Sequence, residues 1–329
     1  MAHKKPVLMA VILVLVIGLF VVYGVEMLRF TNQKKYEIAV VLKTNNIRSD
    51  YWQMVSAGVK AAAKEFDVQI DITGPLSETD TDEQIRNLND ALARKPDAVI
   101  LAATDYEKLA PSADQIKQSG VKLILIDTPI HSDAGESLIA TDNVEAGKKI
   151  GMTLVGPRKD GPLKVLAISD RKNSMAEKDR EQGFKEAIAS HPGVENAGTY
   201  YFEGTEDAAY DQVKRLLSLY PDIQGIAGLN EQATLGAARA VKEKKLSANI
   251  RLVGFDSSIY QVKLLEESSL QATIVQKPFN MGYLSVETAV QVLTGVKVNP
   301  KINIESLVIT KDNMYTQENQ ELLFPLVER

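Results

Sequence analysis

From Tyr36 onward two kinds of segment alternate along the chain. Short unbroken apolar runs, at residues 98–102, 123–126, 165–168, 226–229 and 252–255, are separated by longer stretches whose apolar positions recur every three or four residues. The first kind suits a strand buried on both faces, and the second is one face of a helix. Residues 36–42 predict a first strand. Trp52, Val55, Val59, Ala62, Ala63 and Phe66 form the stripe of the helix after it, and residues 68–72 a second strand. Thr81-Asp-Glu-Gln84 reads as a capping box opening a helix that buries Ile85, Leu88 and Leu92. A third strand follows Pro96 and Asp97, then a helix over 107–119 ended by Gly120, then a fourth strand over 122–126. A helix runs from Asp142-Asn143 to about Leu154. Strands are then predicted over 163–169, 198–202, 224–229, 251–255 and 270–275, a helix over 278–294, and a late strand over 302–309.

Strand–helix alternation of this kind predicts α/β architecture with parallel sheets and right-handed crossovers. The strands are too many for one small sheet. A division near Thr141, with returns near Gln276 and Leu307, gives two similar Rossmann-like lobes joined by three crossovers. One comprises residues 36–141 and 277–306, the other 142–276 and 307–329. No internal sequence repeat and no low-complexity linker marks the division.

Several strands end in a polar residue: Thr104-Asp105, Asp127, Asp170, Asn230 and Asp256. The carboxyl edge of such a sheet is where ligands bind, so two facing edges make the walls of one polar pocket. A carboxylate at Asp127 or Asp256 can accept hydrogen bonds from two vicinal hydroxyls, or it can cap the next helix. Asn230 carries the same two readings. Arg180, in Glu-Lys-Asp-Arg-Glu-Gln-Gly-Phe, fits a pocket cation or a solvated helix face. Tyr51 and Trp52 open a helix just beyond the first strand, where they can stack on a sugar ring or fill the core. Gln276 stands where the chain crosses between lobes.

Composition narrows the chemistry. The 329 residues are 45% apolar and 25% charged with a net charge of −5, which is globular and does not favour a nucleic-acid partner. Cysteine is absent, and His3, His131 and His191 are scattered. Thiol nucleophiles, disulfides, Cys-ligated metals and a lipidated N-terminal Cys are thereby excluded, and a catalytic triad or metal site has little to build from. Gly147-Lys148-Lys149 lacks the upstream glycine and following hydroxyl of a phosphate loop. The expectation is no catalytic residue, no metal and no cofactor.

Residues 7–25 are uncharged and almost wholly apolar. At about 1.5 Å per residue they approach the roughly 30 Å of a bilayer core. The run is longer than a usual signal-peptide core and no clear Ala-x-Ala site follows, so it reads as an uncleaved transmembrane signal anchor, with a cleaved signal peptide as the alternative. Residues 1–6 are then cytoplasmic, 26–35 a tether, and the body lies outside the membrane.

In Ile126-Asp127, Thr141-Asp-Asn143, Arg180-Glu-Gln-Gly-Phe184, Leu229-Asn-Glu-Gln-Ala-Thr-Leu-Gly-Ala237, Val253-Gly-Phe-Asp256 and Ala272-Thr-Ile-Val-Gln276 the chain resembles type I periplasmic binding proteins, the ribose- and galactose-binding group above all. The resemblance spans about Tyr36 to Asn313. It implies sugar held between two lobes, with Tyr51 and Trp52 at the ring-stacking positions and Asp127, Arg180, Asn230, Asp256 and Gln276 at polar pocket positions. Ribose binders carry Arg after the first-lobe Asp where this chain has Thr128, Asn near Ser49, and an aromatic near Glu203 to Thr205. The resemblance therefore implies a pocket not built for ribose, with fewer charge-assisted donors.

Two functions follow from it. One is a membrane-anchored, extracytoplasmic solute-binding protein with a monomeric body, closing on a sugar or polyol and presenting it to an ABC permease. The other is a sugar sensor read by a membrane histidine kinase. A lac-repressor-type regulator would need a helix-turn-helix where the apolar run stands, and an enzyme would need a nucleophile–base pair.

Overall fold

The computed structural model describes residues 35–47, 49–157, 162–170 and 174–323, together with Gly18. Met1–Tyr36 group separately from Glu37–Arg329. The apolar run 7–25 expected to span a membrane lies, but for Gly18, outside the described residues. Among the described residues no helix is long and apolar enough to cross a membrane.

Two six-stranded sheets carry the body. The first contains β1 (Glu37–Val41), β2 (Gln69–Thr73), β3 (Ala98–Leu101), β4 (Lys122–Ile126), β5 (Ser137–Thr141) and β11 (Lys301–Ile304). The second contains β6 (Leu163–Ser169), β7 (Val194–Tyr201), β8 (Gly225–Gly228), β9 (Arg251–Phe255), β10 (Ala272–Val275) and β12 (Leu307–Thr310). Their orders are β11-β5-β4-β3-β1-β2 and β12-β10-β9-β8-β6-β7, the same permutation twice. The lobes thus repeat one plan, as expected of two similar lobes, with no repeat in residue identity. Their cores are the unbroken apolar runs: β3, β8 and β10 are buried at every position.

Helices cover both faces: α1 (Asp50–Glu65), α2 (Thr81–Ala93), α3 (Ala110–Gln118), α4 (Asn143–Val155), α5 (Met175–Ala189), α6 (Glu206–Leu219), α7 (Glu231–Glu243), α8 (Ile259–Glu266), α9 (Pro278–Leu293) and α10 (Gln317–Leu323). Each lobe contains a helix pair in close backbone contact. A Cβ on Gly147 of α4 would lie 2.0 Å from the Arg180 carbonyl oxygen, and one on Gly183 of α5 would lie 1.9 Å from that of Val144. In the other lobe Gly58 of α1 and Gly282 of α9 repeat the arrangement against Phe279 and Val55. Only glycine permits this approach. Gly147, in the stretch rejected as a phosphate loop, therefore sets how closely α5 and its Arg180 are held.

Five expectations are corrected. The Asp142–Asn143 helix is preceded by a strand, β5, whose five residues Ser-Leu-Ile-Ala-Thr carry too short an apolar run to stand out. The late strand 302–309 is two strands, β11 and β12, in different sheets. β12 pairs antiparallel with β10, so the second sheet is not wholly parallel. The capping box is displaced: Asp80 caps α2 by accepting from Glu83 N at 2.9 Å. Gln84 instead turns inward and donates to the Leu42 and Ala102 carbonyls at 2.9 and 2.8 Å. The helix expected from 107 starts at Ala110, because Asp105 draws the Glu107 and Lys108 amides into a turn.

The chain passes between sheets from β5 into α4, from β10 into α9, and from β11 into β12. The crossings are bonded to one another. Thr141 Oγ1 donates to Gln276 Oε1 at 2.7 Å, joining the first two. Lys149 Nζ reaches the Ser306 carbonyl at 2.7 Å and lies 3.6 Å from Glu305, joining α4 to the third.

Candidate functional site

Two strand ends build the site in the same way. Asp127 follows β4 and Asp256 follows β9, equivalent strands of the two sheets. Both take left-handed backbone, with φ of 64° and 66°, a conformation that short polar side chains tolerate. Each amide donates to the adjacent strand, Asp127 N to Ile139 O and Asp256 N to Ile274 O, both at 2.9 Å. The sharp turn ends each strand with its carboxylate at the sheet's edge. Neither residue caps a helix: Ser258 caps α8.

All seven residues singled out from the sequence, Tyr51, Trp52, Asp127, Arg180, Asn230, Asp256 and Gln276, line one cavity of about 470 Å³ between the lobes. Asp127 is buried, accepting from Tyr51 Oη at 2.9 Å and Thr128 Oγ1 at 2.8 Å. Lys43 Nζ donates to Asp127 Oδ2 at 2.5 Å and to Thr128 Oγ1 at 2.6 Å. It also lies 5.9 Å from the centre of the Trp52 ring. Burial pushes the Asp127 carboxyl up, but the Lys43 charge and hydrogen bond, aided by Thr128, outweigh it and hold it below its ordinary value. Burial, with the Asp127 charge and hydrogen bond, pushes the Tyr51 phenol well up, so it stays a donor.

Lys43 changes the reading of Thr128. The substitution of Thr for Arg there implied a missing cation, and the β1 loop supplies one in its stead. A lone lysine two residues past a strand looks like any solvated lysine. The signal available in the sequence was its place at the carboxyl end of a buried strand.

Arg180 is 5% exposed, in a helix whose sequence reads as a charged surface. Its Nε donates to Asn143 Oδ1 at 2.8 Å and its Nη1 to the Leu229 carbonyl at 2.9 Å. The guanidinium carbon lies 3.6 Å from the centre of the Phe255 ring. This stacking fixes a fork of donors in the cavity wall. Burial raises the Asp256 carboxyl and the Asp127 charge adds to this; Arg180 and the 2.6 Å bond from Gln276 Nε2 oppose it, leaving it above its ordinary value.

Asn230 satisfies both of its readings. Its Oδ1 caps α7 by accepting from Ala233 N at 2.8 Å, while its Nδ2 donates to Glu177 Oε1 at 2.9 Å and the residue lines the cavity. Trp52 likewise belongs to the core at 2% exposure and to the cavity wall, with its indole N–H given to Glu78 at 2.8 Å. It meets Tyr51 edge-on, ring centres 4.9 Å apart.

Asp170, expected at a strand end, also lines the cavity, as do Glu177, Glu231 and Glu78, which were not singled out from the sequence. Glu177 is buried and accepts from Ser169 Oγ, Asp170 N and Asn230 Nδ2; burial still raises its carboxyl. Glu231 is pushed up to about 7, by burial first, with Asp256, Asp50 and Glu206 adding repulsion and Ser258 opposing. An acid raised in the folded state binds more protons folded than unfolded from about pH 4.5 to about pH 7. Its penalty is absent at the acid end and complete above about pH 7. Glu231→Gln is therefore expected to raise stability at pH 8 by about 1–3 kcal/mol. At pH 4.5 it should change nothing. Urea melts of both proteins at the two pH values check this, and an equal effect at both contradicts it.

Among the described residues no cluster of His, Cys, Asp or Glu could hold a metal ion. Between the cationic Lys43 and Arg180 and the carboxylates, the wall offers donors and acceptors in the mixture that a hydroxylated neutral molecule needs, with Trp52 and Tyr51 alongside.

Residues 38–297 match a family described as periplasmic binding protein domain. The chain is 26% identical over 283 residues to the ribose import binding protein RbsB of Escherichia coli strain K12, covering 84% of this chain and 91% of that one. It superposes on a carbohydrate transporter solute binding protein from Agrobacterium radiobacter, solved in complex with D-arabinose. There the TM-score is 0.82 and the identity 28%, covering 89% of this chain and 100% of that one. A sugar transporter from Clostridium phytofermentans is 38% identical with a TM-score of 0.75, covering 85% of this chain and 100% of that one.

Proposed function

The chain belongs to the periplasmic binding protein domain family, and we propose that it captures a sugar or polyol between its lobes and delivers it to an ABC permease. The observation that carries this is the meeting of Lys43, Tyr51 and Asp127 from one lobe with Arg180, Asn230 and Asp256 from the other around a single cavity. A ligand touching both walls stabilises the closed arrangement by its differential contacts there, so its binding shifts the population of lobe positions. Selectivity comes from the charged and capped groups: a ligand lacking a hydroxyl leaves one of them buried and unpaired. The role proposed is binding and release, in keeping with relatives named as binding and transport proteins. The apolar run 7–25 holds the body at the outer face of the membrane, where tethering raises its local concentration at a membrane partner.

Thermal-shift screening of the full-length chain against pentoses, hexoses, ketoses and polyols tests the reading. At least one is expected to raise the melting temperature in a saturable way, as binding to the native state alone requires. A flat response to the whole panel overturns it.

A further inference from the structure

Two of the groups that face the cavity from the second lobe are tied to the crossings between the lobes. Arg180 Nε donates to Asn143 Oδ1 at 2.8 Å, and Asn143 opens α4 just beyond the first crossing. Asp256 Oδ1 accepts from Gln276 Nε2 at 2.6 Å, and Gln276 is in the second crossing. Two further bonds close the chain. Asn143 Nδ2 donates to the Thr141 carbonyl at 3.2 Å, and Thr141 Oγ1 donates to Gln276 Oε1 at 2.7 Å. Thr141, Asn143, Arg180 and Gln276 are all buried. A continuous hydrogen-bonded path thus runs from Arg180 through both crossings to Asp256.

We infer that Thr141 is a positioning residue, whose hydroxyl locks the first two crossings together and couples the angle between the lobes to the placement of Arg180 and Asp256. Thr141 does not line the cavity; its hydroxyl bonds Gln276, and its carbonyl is bonded to Asn143, which holds Arg180. A rotation of one lobe about the crossings changes the Thr141–Gln276 separation. Gln276 has one amide: its oxygen is held by Thr141 and its nitrogen holds Asp256, so movement at one end is felt at the other. The ligand half of the inference rests on the sugar-binding reading above; the hinge half does not.

The chain has no cysteine, which lets spin labels be placed at will. Lys108 and Glu203 are exposed and stand on opposite lobes across a flanking cavity. Pulsed electron–electron resonance on full-length Lys108→Cys/Glu203→Cys reads the distribution of lobe separations without ligand. Adding Thr141→Val is expected to broaden that distribution and lengthen its mean, and Thr141→Ser to leave it as in the parent. Identical distributions for Val and the parent, with all three proteins folded by circular dichroism, overturn the inference.

The second arm uses any sugar that stabilises the parent. Thr141→Val is expected to weaken its affinity about five- to tenfold and Thr141→Ser by less than twofold. A broadened distribution with unchanged affinity overturns the coupling to the site while leaving the hinge lock standing. If no sugar binds the parent at all, the function proposed above fails, and the distance measurement still decides whether Thr141 holds the hinge.

Discussion

Arg180→Ala is expected to abolish sugar binding, with an affinity loss of at least a hundredfold, while the chain still folds. The arginine makes two buried hydrogen bonds, stacks on Phe255 and opposes the carboxylate of Asp256. Its removal leaves Asn143 Oδ1 and the Leu229 carbonyl without their donor, each worth about 1–3 kcal/mol when buried and unsatisfied. It also leaves Asp256 facing Asp127 without the guanidinium that opposes its rise, so its carboxyl is pushed further above its ordinary value. Arg180→Lys should restore little, because an ammonium cannot present a fork to two directions or stack as a plane. Calorimetric titration of the wild type and both variants checks this. Retention of wild-type affinity by Arg180→Ala would remove the second-lobe wall from the site.

Asp127→Ala is expected to cost about 3–5 kcal/mol of stability, the usual penalty for breaking a buried ion pair from one side. The side chains of Lys43 and Asp127 are 12% and 9% exposed, and Asp127 carries the only carboxylate bonded to Lys43 among the described residues. The variant leaves the ammonium dehydrated against Thr128 and deprives Tyr51 of its carboxylate acceptor, leaving it the Met281 sulfur. Lys43→Met in the same background should recover most of the loss, since removing both charges is close to neutral where removing one is not. Neither protein should bind sugar. Urea denaturation of the single and double variants gives the coupling energy directly. A loss below about 1 kcal/mol in Asp127→Ala would mean that the pair behaves as a solvated surface contact.

The legible part of the molecule was the part that buried strands write into the chain. Residues 123–126 and 252–255 are unbroken apolar runs, and the acid ending each could be placed at a sheet edge with no further information. β5 and β12 were harder because each offers only about three apolar positions between polar neighbours, and their existence depends on sheets already formed beside them. Arg180 and Glu177 sit in a helix of low amphipathic contrast. Their burial follows from the contact of Gly147 and Gly183, a tertiary fact that local periodicity cannot carry. Lys43 and Glu231 were silent for a related reason: each is an ordinary charged residue beside a strand or helix end until the opposite lobe comes within reach. Two similar lobes were expected from the alternation of elements, but no sequence repeat accompanies them, since the shared permutation of strands constrains topology and turn placement but not residue identity.

The most direct measurement is the lobe separation in full-length Lys108→Cys/Glu203→Cys as the stabilising sugar is titrated in. One sugar per chain is expected to shorten and narrow the distance distribution along the same isotherm that calorimetry records. A sugar that binds at full affinity and leaves the distribution unchanged would mean that it is held by one lobe alone.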